Sequence, residues 1–506
     1  MEYYDPREYD LAGRIAKLKT KHGFIETPFL FPVIDPSRQN RYLNIIDRVG
    51  FNAFITNAYL LYRRNRGERV NIHDFFDWRK PVMTDSGGYQ ILIYGSVDVD
   101  NKTIVKYQKE IDSDICVILD IPTGTSMSRV EALNAIRETI KRSWESMSLI
   151  MESDQLWVLP IQGAPYPDLV YYSSLVSSRI PYHIYALGSP TVYLEKYDYE
   201  KILLLTIIAR RNLPPNKPLH VFGVGHPMII PFLVAVGADL FDSASYILYA
   251  RDDRLMFEWG TRRLDELYYS PCNCPICSKY SIEELREMNR DERVDLIAEH
   301  NLYVLMKEIK QTKQTIREGR LWEYLEYKSK LHSSLKKAFG IIVKYRDYLM
   351  KYNPLIKTNI HALLLIDSNS VCNPRLEINR KNTYKYLIKG EYSKLLLLPA
   401  LSKPYSNDRI YNMFREKYCE FKILFYHPYL GLFPPEVSNT YPYFQHEIGR
   451  LEYSSRIVRE IINTITKLRV SDLKIVTVNN SIYRKISERI YIELKNIVKN
   501  IEIIRA

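Results

Sequence analysis

LWVLPIQG, residues 156–163, is an apolar run that ends at an amide and a glycine. An apolar run without alternation suits a strand that is buried on both faces of a parallel sheet. Seven other runs, most of them also continuous, lie at residues 28–33, 52–56, 81–84, 115–119, 182–187, 219–222 and 238–241. The sequence therefore predicts eight strands of one parallel sheet.

Helical patterns separate these strands. Residues 130–150 and 199–211 are two examples, and Ser128 is a plausible N-cap for the first. Eight strand–helix units in about 250 residues fit a closed (β/α)8 barrel of the TIM type. A doubly wound open sheet is the alternative, but no glycine-rich phosphate loop follows the first strand. We therefore predict an α/β TIM barrel.

Polar residues and glycines recur where the predicted strands end. They are Asp85, Asp120, Gln162, Gly188 and Asp242. In a parallel barrel the carboxyl ends of the strands converge on one rim. A single acidic residue after a strand is usually a helix cap, whereas five such positions predict a shared site at the rim.

Composition narrows the class of protein. The 506 residues are 46% apolar and 26% charged, the mixture of a globular protein. Lys and Arg number 71 against 59 Asp and Glu, and the net charge of +12 favours a polyanionic partner such as nucleic acid. No run of 18 apolar residues and no signal-like N-terminus is present, so we expect a cytoplasmic protein without a membrane partner.

The second half of the chain has a different pattern. A charged helical stretch covers residues 282–350, and the pattern resets near residues 352–354. Further strands are predicted at residues 361–366, 395–398, 421–426 and 473–478, among basic amphipathic helices. We predict a barrel domain over residues 1–345, with a metal subdomain at about residues 265–345, followed by a smaller α/β or α+β appendage over residues 346–506.

Three of the six cysteines form a C-x-C-x2-C motif: Cys272, Cys274 and Cys277. His300 follows in a helical pattern, and thiolates with an imidazole at this spacing suit tetrahedral Zn2+. Four protein ligands leave no open position, so the expected ion is structural, one per chain. His226 and His332 are alternative fourth ligands, and three unrelated loop cysteines are the alternative to a metal site.

Two carboxylates on one rim suit covalent displacement at an anomeric carbon. Asp85 begins DSGGYQ (residues 85–90), and Asp242 lies in FDSASY (residues 241–246). One ionised carboxylate attacks C1′ while a neutral carboxylic acid protonates the leaving group. Burial and mutual repulsion would raise the pKa of one of them, so that the pair divides the two roles.

The other rim positions suit the binding of a purine base. The Asp120 carboxylate can accept the N–H donors of a guanine edge, and the Gln162 amide can donate to O6. The backbone N–H groups of Gly188 and Ser189 are further donors, and Tyr89 offers an aromatic face for stacking.

Together these residues resemble the tRNA-guanine transglycosylase family, and within it the archaeal-type branch. The resemblance rests on MTDSGGYQ (83–90), VILDIPTG (117–124), PIQGAP (160–165), YALGSP (185–190), FGVGHP (222–227), ADLFDSASY (238–246) and CNCPIC (272–277) with His300. The segment HPYLGLFPPEVSNTYPYFQHEIG (427–449) extends it into the appendage.

The resemblance implies a TIM barrel with a zinc subdomain and an activity on tRNA. The implied reaction exchanges guanine at position 15, in the D-loop, for the free base 7-cyano-7-deazaguanine (preQ0), in archaeosine biosynthesis. It matches Asp242 to the nucleophile and Asp85 to the general acid/base, although the reverse division stays open. It also matches Asp120, Gln162, Gly188 and Ser189 to base binding and Tyr89 to stacking.

The resemblance also implies partners. Members of the family commonly form dimers, so we expect a homodimer. Many archaeal-type members end in an RNA-binding PUA domain, and the sequence shows no evident one. Either a separate polypeptide supplies that domain, or the basic residues of the appendage bind the tRNA.

Two other functions compete with this prediction. A tRNA-binding paralogue without exchange activity, including one similar to archaeosine synthase, would keep the barrel but not the two acidic residues. A metal-dependent barrel hydrolase would hold its metal in the pocket.

Overall fold

The computed structural model describes residues 3–38, 41–88, 90, 98–124, 127–188, 191–357 and 360–506. The chain divides into two compact units. The first comprises Met1–Arg317 and Tyr327–Ile342, and the second comprises Glu318–Glu326 and Val343–Ala506.

Eight parallel strands close into a barrel in the first unit, which confirms the predicted TIM barrel. They are β4 (Phe29–Ile34), β5 (Phe54–Asn57), β6 (Val82–Asp85), β7 (Ile115–Val117), β8 (Leu156–Ile161), β9 (Ile184–Leu187), β10 (Leu219–Val221) and β11 (Leu240–Ser243). β11 pairs with β4 and so closes the ring. The strands are almost wholly buried, as their continuous apolar runs require.

Helices follow the barrel strands. They are α1 (Leu43–Val49), α2 (Ala58–Arg64), α3 (Ile72–Phe76), α4 (Asn101–Glu110), α5 (Arg129–Glu145), α6 (Met147–Met151), α7 (Pro167–Ser177), α8 (Thr191–Glu195), α9 (Tyr199–Asn212), α10 (Ile230–Ala235) and α11 (Ser245–Arg251). Ser128 caps α5 through a capping box with Glu131, as the sequence indicates. The helical stretch predicted over residues 130–150 is two helices, because α5 ends at Glu145.

Two small sheets of the first unit were not predicted. β1 (Tyr4–Asp10), β2 (Gly13–Thr20) and β3 (Gly23–Thr27) form an antiparallel sheet before the barrel. β12 (Arg254–Phe257) and β13 (Gly260–Arg263) form a hairpin after it. β1 alternates exposed and buried residues and carries a proline, which makes its sequence a weak strand signal.

The charged stretch over residues 282–350 is a series of helices. The segment from the cysteines onward contains α12 (Pro275–Lys279), α13 (Ile282–Glu287), α14 (Arg290–Glu318), α15 (Leu321–Lys328), α16 (Ser333–Lys344) and α17 (Arg346–Tyr352). The 29-residue helix α14 ends at Glu318 and is followed by Gly319, which has a left-handed φ of +69°.

The second unit is an α/β fold around a five-stranded sheet. The sheet order is β17 (Gly431–Phe433), β16 (Lys422–His427), β15 (Lys394–Pro399), β19 (Asp472–Thr477) and β20 (Asn500–Arg505), and only β17 is antiparallel. A separate parallel pair joins β14 (Leu363–Leu365) to β18 (His446–Ile448). Its helices are α18 (Pro374–Leu387), α19 (Arg409–Lys417), α20 (Ser455–Leu468) and α21 (Ser481–Leu494).

Within the described part of the chain, no helix combines the length and hydropathy that crossing a membrane requires.

Candidate active site and metal centre

The barrel brings the predicted site residues to the carboxyl-terminal rim. Asp85 ends β6, Asp120 lies three residues beyond β7, Gln162 and Gly188 directly follow β8 and β9, and Asp242 lies in β11. Strands β6 to β9 are consecutive neighbours in the ring, so their ends lie side by side. Tyr89 and Ser189, also predicted for this site, lie outside the described residues.

Asp85 has a strongly raised pKa. Burial, together with the negative charges of Asp120 and Asp242, raises its pKa to about 7. Hydrogen bonds from the backbone N–H groups of Ser86 and Gly87 act in the opposite direction but do not offset it. The carboxylates of Asp120 and Asp242 therefore both lie close enough to Asp85 to disfavour its ionised form.

Asn57 fixes the position of the Asp85 carboxylate. The two residues are paired in register across β5 and β6. The Asn57 Nδ2 group donates to Asp85 Oδ2 at 3.1 Å and to Gln90 Oε1 at 2.8 Å, while its Oδ1 accepts the Leu60 N–H at the start of α2. Asn57 is therefore both the N-cap of α2 and a hydrogen-bond donor to Asp85. The sequence indicates the capping role but gives no sign of the contact with Asp85.

Asp242 has a different environment. The Asp242 Oδ1 atom accepts hydrogen bonds from His220 Nε2 at 2.8 Å and from the Gly223 N–H at 3.0 Å. His220 is fully buried and stacks on Phe31 with an interplanar angle of 8°. Because an ionised carboxylate only accepts, the Nε2 atom of His220 carries the proton. The two donors hold the Asp242 carboxylate in one orientation.

Asp120, Gln162 and Thr123 form a connected hydrogen-bond network. Gln162 Nε2 donates to Asp120 Oδ2, and Gln162 Oε1 accepts the N–H of Thr123 at 3.0 Å and its hydroxyl at 3.2 Å. The Thr123 contacts fix which end of the Gln162 amide faces Asp120. Burial raises the pKa of Asp120 to about 6, and the bond from Gln162 partly counteracts that rise.

Two glycines leave room over this network. A Cβ on Gly88 would lie 2.2 Å from Asp120 Oδ1, and one on Gly188 would lie 2.3 Å from Gln162 Nε2. The Gly188 N–H donates to the Ile161 carbonyl at 2.9 Å. The sequence predicts this N–H as a donor to a base, whereas in the structure it donates to a carbonyl of the paired strand β8. Gly188 contributes to the site because it has no side chain that would collide with Gln162.

The predicted metal ligands converge as a separate cluster. The Sγ atoms of Cys272, Cys274 and Cys277 and a ring nitrogen of His300 all lie within 4.8 Å of one another. His300 Nδ1 lies 3.4 Å from Cys274 Sγ and 3.2 Å from Cys277 Sγ. Helix α14 supplies His300, and the loop before α12 together with α12 itself supplies the cysteines.

The donor set of this cluster fits a bound divalent ion. His300 Nε2 lies 2.9 Å from the Met256 carbonyl, so the ring proton is on Nε2 and the lone pair of Nδ1 faces the sulfurs. A metal-binding histidine is usually oriented by such a carbonyl. His226 and His332 are not part of this group of four.

Comparison with known proteins identifies the family. The family model described as queuine tRNA-ribosyltransferase matches residues 10–334. The chain belongs to the queuine tRNA-ribosyltransferase family. It is therefore a tRNA-ribosyltransferase enzyme, and the resemblance inferred from the sequence motifs is confirmed.

Curated relatives cover both units. A protein of Aeropyrum pernix named tRNA-guanine(15) transglycosylase is 41% identical over 475 residues, which is 91% of each chain. A protein of Sulfolobus acidocaldarius with the same name is 42% identical over 448 residues, 88% of each chain. A Methanocaldococcus jannaschii protein of that name is 35% identical over 92% of this chain and 72% of its own length.

Three polar residues that contact the predicted site residues were missed in the sequence. They are Asn57, Thr123 and His220. Thr123 lies inside the quoted motif VILDIPTG, and its position three residues after Asp120 is the only signal that the sequence offers. His220 lies within a strand, where a lone histidine is indistinguishable from a core residue.

Proposed function

We propose that this ribosyltransferase exchanges guanine at position 15 of tRNA for preQ0 through a covalent aspartyl–ribose intermediate. The names of the relatives support the position in the tRNA. The observation that carries the chemistry is the contrast between Asp85 and Asp242, two interacting carboxylates of which one is held near neutrality and the other is stabilised by two donors.

Asp242 is the proposed nucleophile. Its two hydrogen bonds from described residues both end on Oδ1, so Oδ2 is the oxygen proposed to attack C1′ of the ribose. His220 and Gly223 keep the carboxylate oriented before the attack.

Asp85 is the proposed general acid and base. As the C1′–N9 bond breaks, its electron pair goes to the departing guanine, which takes the proton of the Asp85 carboxyl group. The incoming preQ0 then gives its N9 proton to the Asp85 carboxylate, N9 attacks C1′, and the bond from C1′ to Asp242 breaks. Two inversions give net retention.

The Asp120 network is the proposed reader of the base. An ionised Asp120 accepts from the N1–H and the exocyclic amine of a guanine edge, and the Gln162 Nε2 group donates to O6. The space over Gly88 and Gly188 lets the base approach these groups. Tyr89 for stacking and the backbone at Ser189 complete the proposal.

The second unit is the proposed docking region for tRNA. Removing a nucleotide from the folded RNA costs a few kcal/mol, and phosphate contacts offset this cost. Arg380 and Arg456 are held by Glu460 and Glu377 and serve structure first. The exposed basic residues of the proposed surface are Lys381, Lys385, Lys389, Arg459, Lys467 and Arg469. A separate PUA-domain polypeptide and a homodimer remain parts of the proposal, as does a cytoplasmic location, where tRNA is found.

Zinc is the proposed occupant of the cysteine cluster. Cys272, Cys274, Cys277 and His300 would hold one Zn2+, and the ion would cross-link the cysteine loop to α14 without taking part in the exchange.

The test is mass spectrometry of tRNA after incubation with the protein and preQ0. The proposal expects a guanine-to-preQ0 mass change at position 15 and release of one guanine per change. An unchanged tRNA that still binds the protein would favour the non-catalytic paralogue, and a change at another position would refute the assignment of the target nucleotide.

A further inference from the structure

A second group of metal-ligand side chains lies at the end of the barrel away from the rim. His22, in the turn between β2 and β3, meets His73 of α3 and Asp114, the residue before β7. The Asp114 backbone N–H donates to the Val82 carbonyl at the start of β6, which fixes the group at the amino-terminal ends of the barrel strands.

His73 has a ring nitrogen that the described residues do not satisfy. Its side chain is only 2% exposed, and its Nδ1–H donates to the Trp78 carbonyl at 2.8 Å. The other nitrogen, Nε2, forms no hydrogen bond, yet it lies 3.4 Å from Asp114 Oδ2. A lone pair on Nε2 would be repelled by the Asp114 carboxylate, so either a proton on Nε2 or a cation between the two atoms is required.

The spacing of these atoms suits a metal ion. Zn2+ binds histidine nitrogen and carboxylate oxygen at about 2.0–2.2 Å, and two such ligands at a tetrahedral angle are separated by about 3.4 Å. The carbonyl on Nδ1 is the orienting contact that metal-binding histidines usually have.

His22 completes the group from the solvent side. Its Nδ1 lies 3.1 Å from Asp114 Oδ1, and its Nε2 lies 3.9 Å from Asp112 Oδ2. The His22 side chain is 26% exposed, so an ion has a path to the site. The ligand atoms of His22, His73 and Asp114 all lie within 4.8 Å of one another, and the His22 ring packs on that of His73 with the ring centroids 3.7 Å apart.

The charges around the group favour a cation. Asp112 and Asp114 carry two negative charges, and the Lys21 ammonium, which bonds to Asp112 Oδ1 at 2.6 Å, offsets one of them. Two imidazoles and a carboxylate are typical ligands of late first-row divalent metals.

We propose that His22, His73 and Asp114 form a second divalent metal site, of the Zn2+ class. The ion joins the β2–β3 turn to the start of β7 and so holds the amino-terminal sheet against the end of the barrel opposite the rim. This site is independent of the exchange reaction and of the cysteine cluster.

The test is the zinc content of the full chain after equilibration with Zn2+ and removal of loosely bound ion. His22→Gln and His73→Gln each should bind one equivalent less than the wild type, and Cys277→Ser should retain the equivalent at this site. His361→Gln, at an exposed histidine of the second unit, is the matched control and should lose none.

Thermal unfolding supplies the second readout. Added Zn2+ should raise the Tm of Cys277→Ser but not that of the double variant Cys277→Ser/His22→Gln. Equal zinc content in His22→Gln, His73→Gln and the wild type would overturn the proposal and leave a protonated His73 as the partner of Asp114. His22→Gln changes a half-buried turn residue and so keeps the test valid if His73→Gln fails to fold.

Discussion

Asp85, Asp120 and Asp242 show how neighbouring residues give one type of side chain different chemistry. Burial and like charge raise the pKa of Asp85 to about 7, whereas the Asp242 carboxylate accepts hydrogen bonds from His220 and Gly223. Asp120 lies between these cases, because its burial is partly compensated by Gln162. The proposed division of roles rests on these contacts and not on the order of the residues in the chain.

The pH dependence of exchange should follow from two of these groups. Asp120 must be ionised to accept from the base, so activity falls as the pH drops through its pKa of about 6. Asp85 must be protonated to release guanine, so kcat/KM falls as the pH rises through its pKa of about 7. The profile of kcat/KM for tRNA should therefore peak between about pH 6 and pH 7. The Asp120→Asn variant should lose the acidic limb, and its persistence in that variant would contradict the role of Asp120.

Gly188→Ala tests the space above the base-reading network. The new Cβ would lie 2.3 Å from Gln162 Nε2 and displace it from Asp120. We expect KM for the free base to rise about tenfold or more, since one charge-assisted hydrogen bond is worth about 1.5–3 kcal/mol. Gly340→Ala, in α16 with nothing within 4 Å, is the control and should leave exchange unchanged. Equal KM values for the two variants would show that Gly188 borders no binding site.

Different secondary-structure elements carry the rim residues and the cysteine cluster. The carboxyl ends of β6 to β9 and β11 carry the candidate site residues, while the loop before α12, α12 and α14 carry the candidate metal ligands. Met256 in β12 orients His300, so the hairpin after the barrel supports the metal centre.

Cys274→Ser should remove the ion from the cysteine cluster. We expect the loss of one zinc equivalent and a Tm lower by several degrees, because binding energy at a structural site contributes to folding. Exchange measured well below the Tm should stay within about threefold of the wild-type rate, since the ion is assigned no step. Cys419→Ser, at an exposed cysteine, is the control. Complete loss of exchange in folded Cys274→Ser would place the ion in the reaction.

The elements also show which parts of the fold a sequence can predict. The strand predicted at residues 156–161 is β8, Leu156–Ile161, because a double-faced buried strand must be apolar throughout. The amino-terminal sheet was not predicted, because β1 is mixed in polarity and is stabilised by its pairing with β2. The strand propensity of a segment is a weak predictor where pairing with another strand decides whether the segment becomes a strand.

For the whole molecule, the barrel made the site partly predictable. Asp85, Asp120, Gln162 and Asp242 follow strands, and the closed ring turns that local feature into proximity. His220 and Asn57 contact Asp242 and Asp85 through side-chain hydrogen bonds between neighbouring strands. No spacing in the sequence predicts these contacts. The actual engagement of the Gly188 N–H likewise depends on the pairing of β8 with β9.

The central claim is that Asp242 attacks the ribose while Asp85 moves the proton. The most direct test traps the intermediate by denaturing the protein during turnover with tRNA, digests both components, and maps the ribose-linked peptide by mass spectrometry. We predict the adduct on Asp242 and its absence in Asp242→Asn, with exchange lowered by a factor of about 1,000 or more. An adduct on Asp85, or near-normal exchange by Asp242→Asn, would contradict the account.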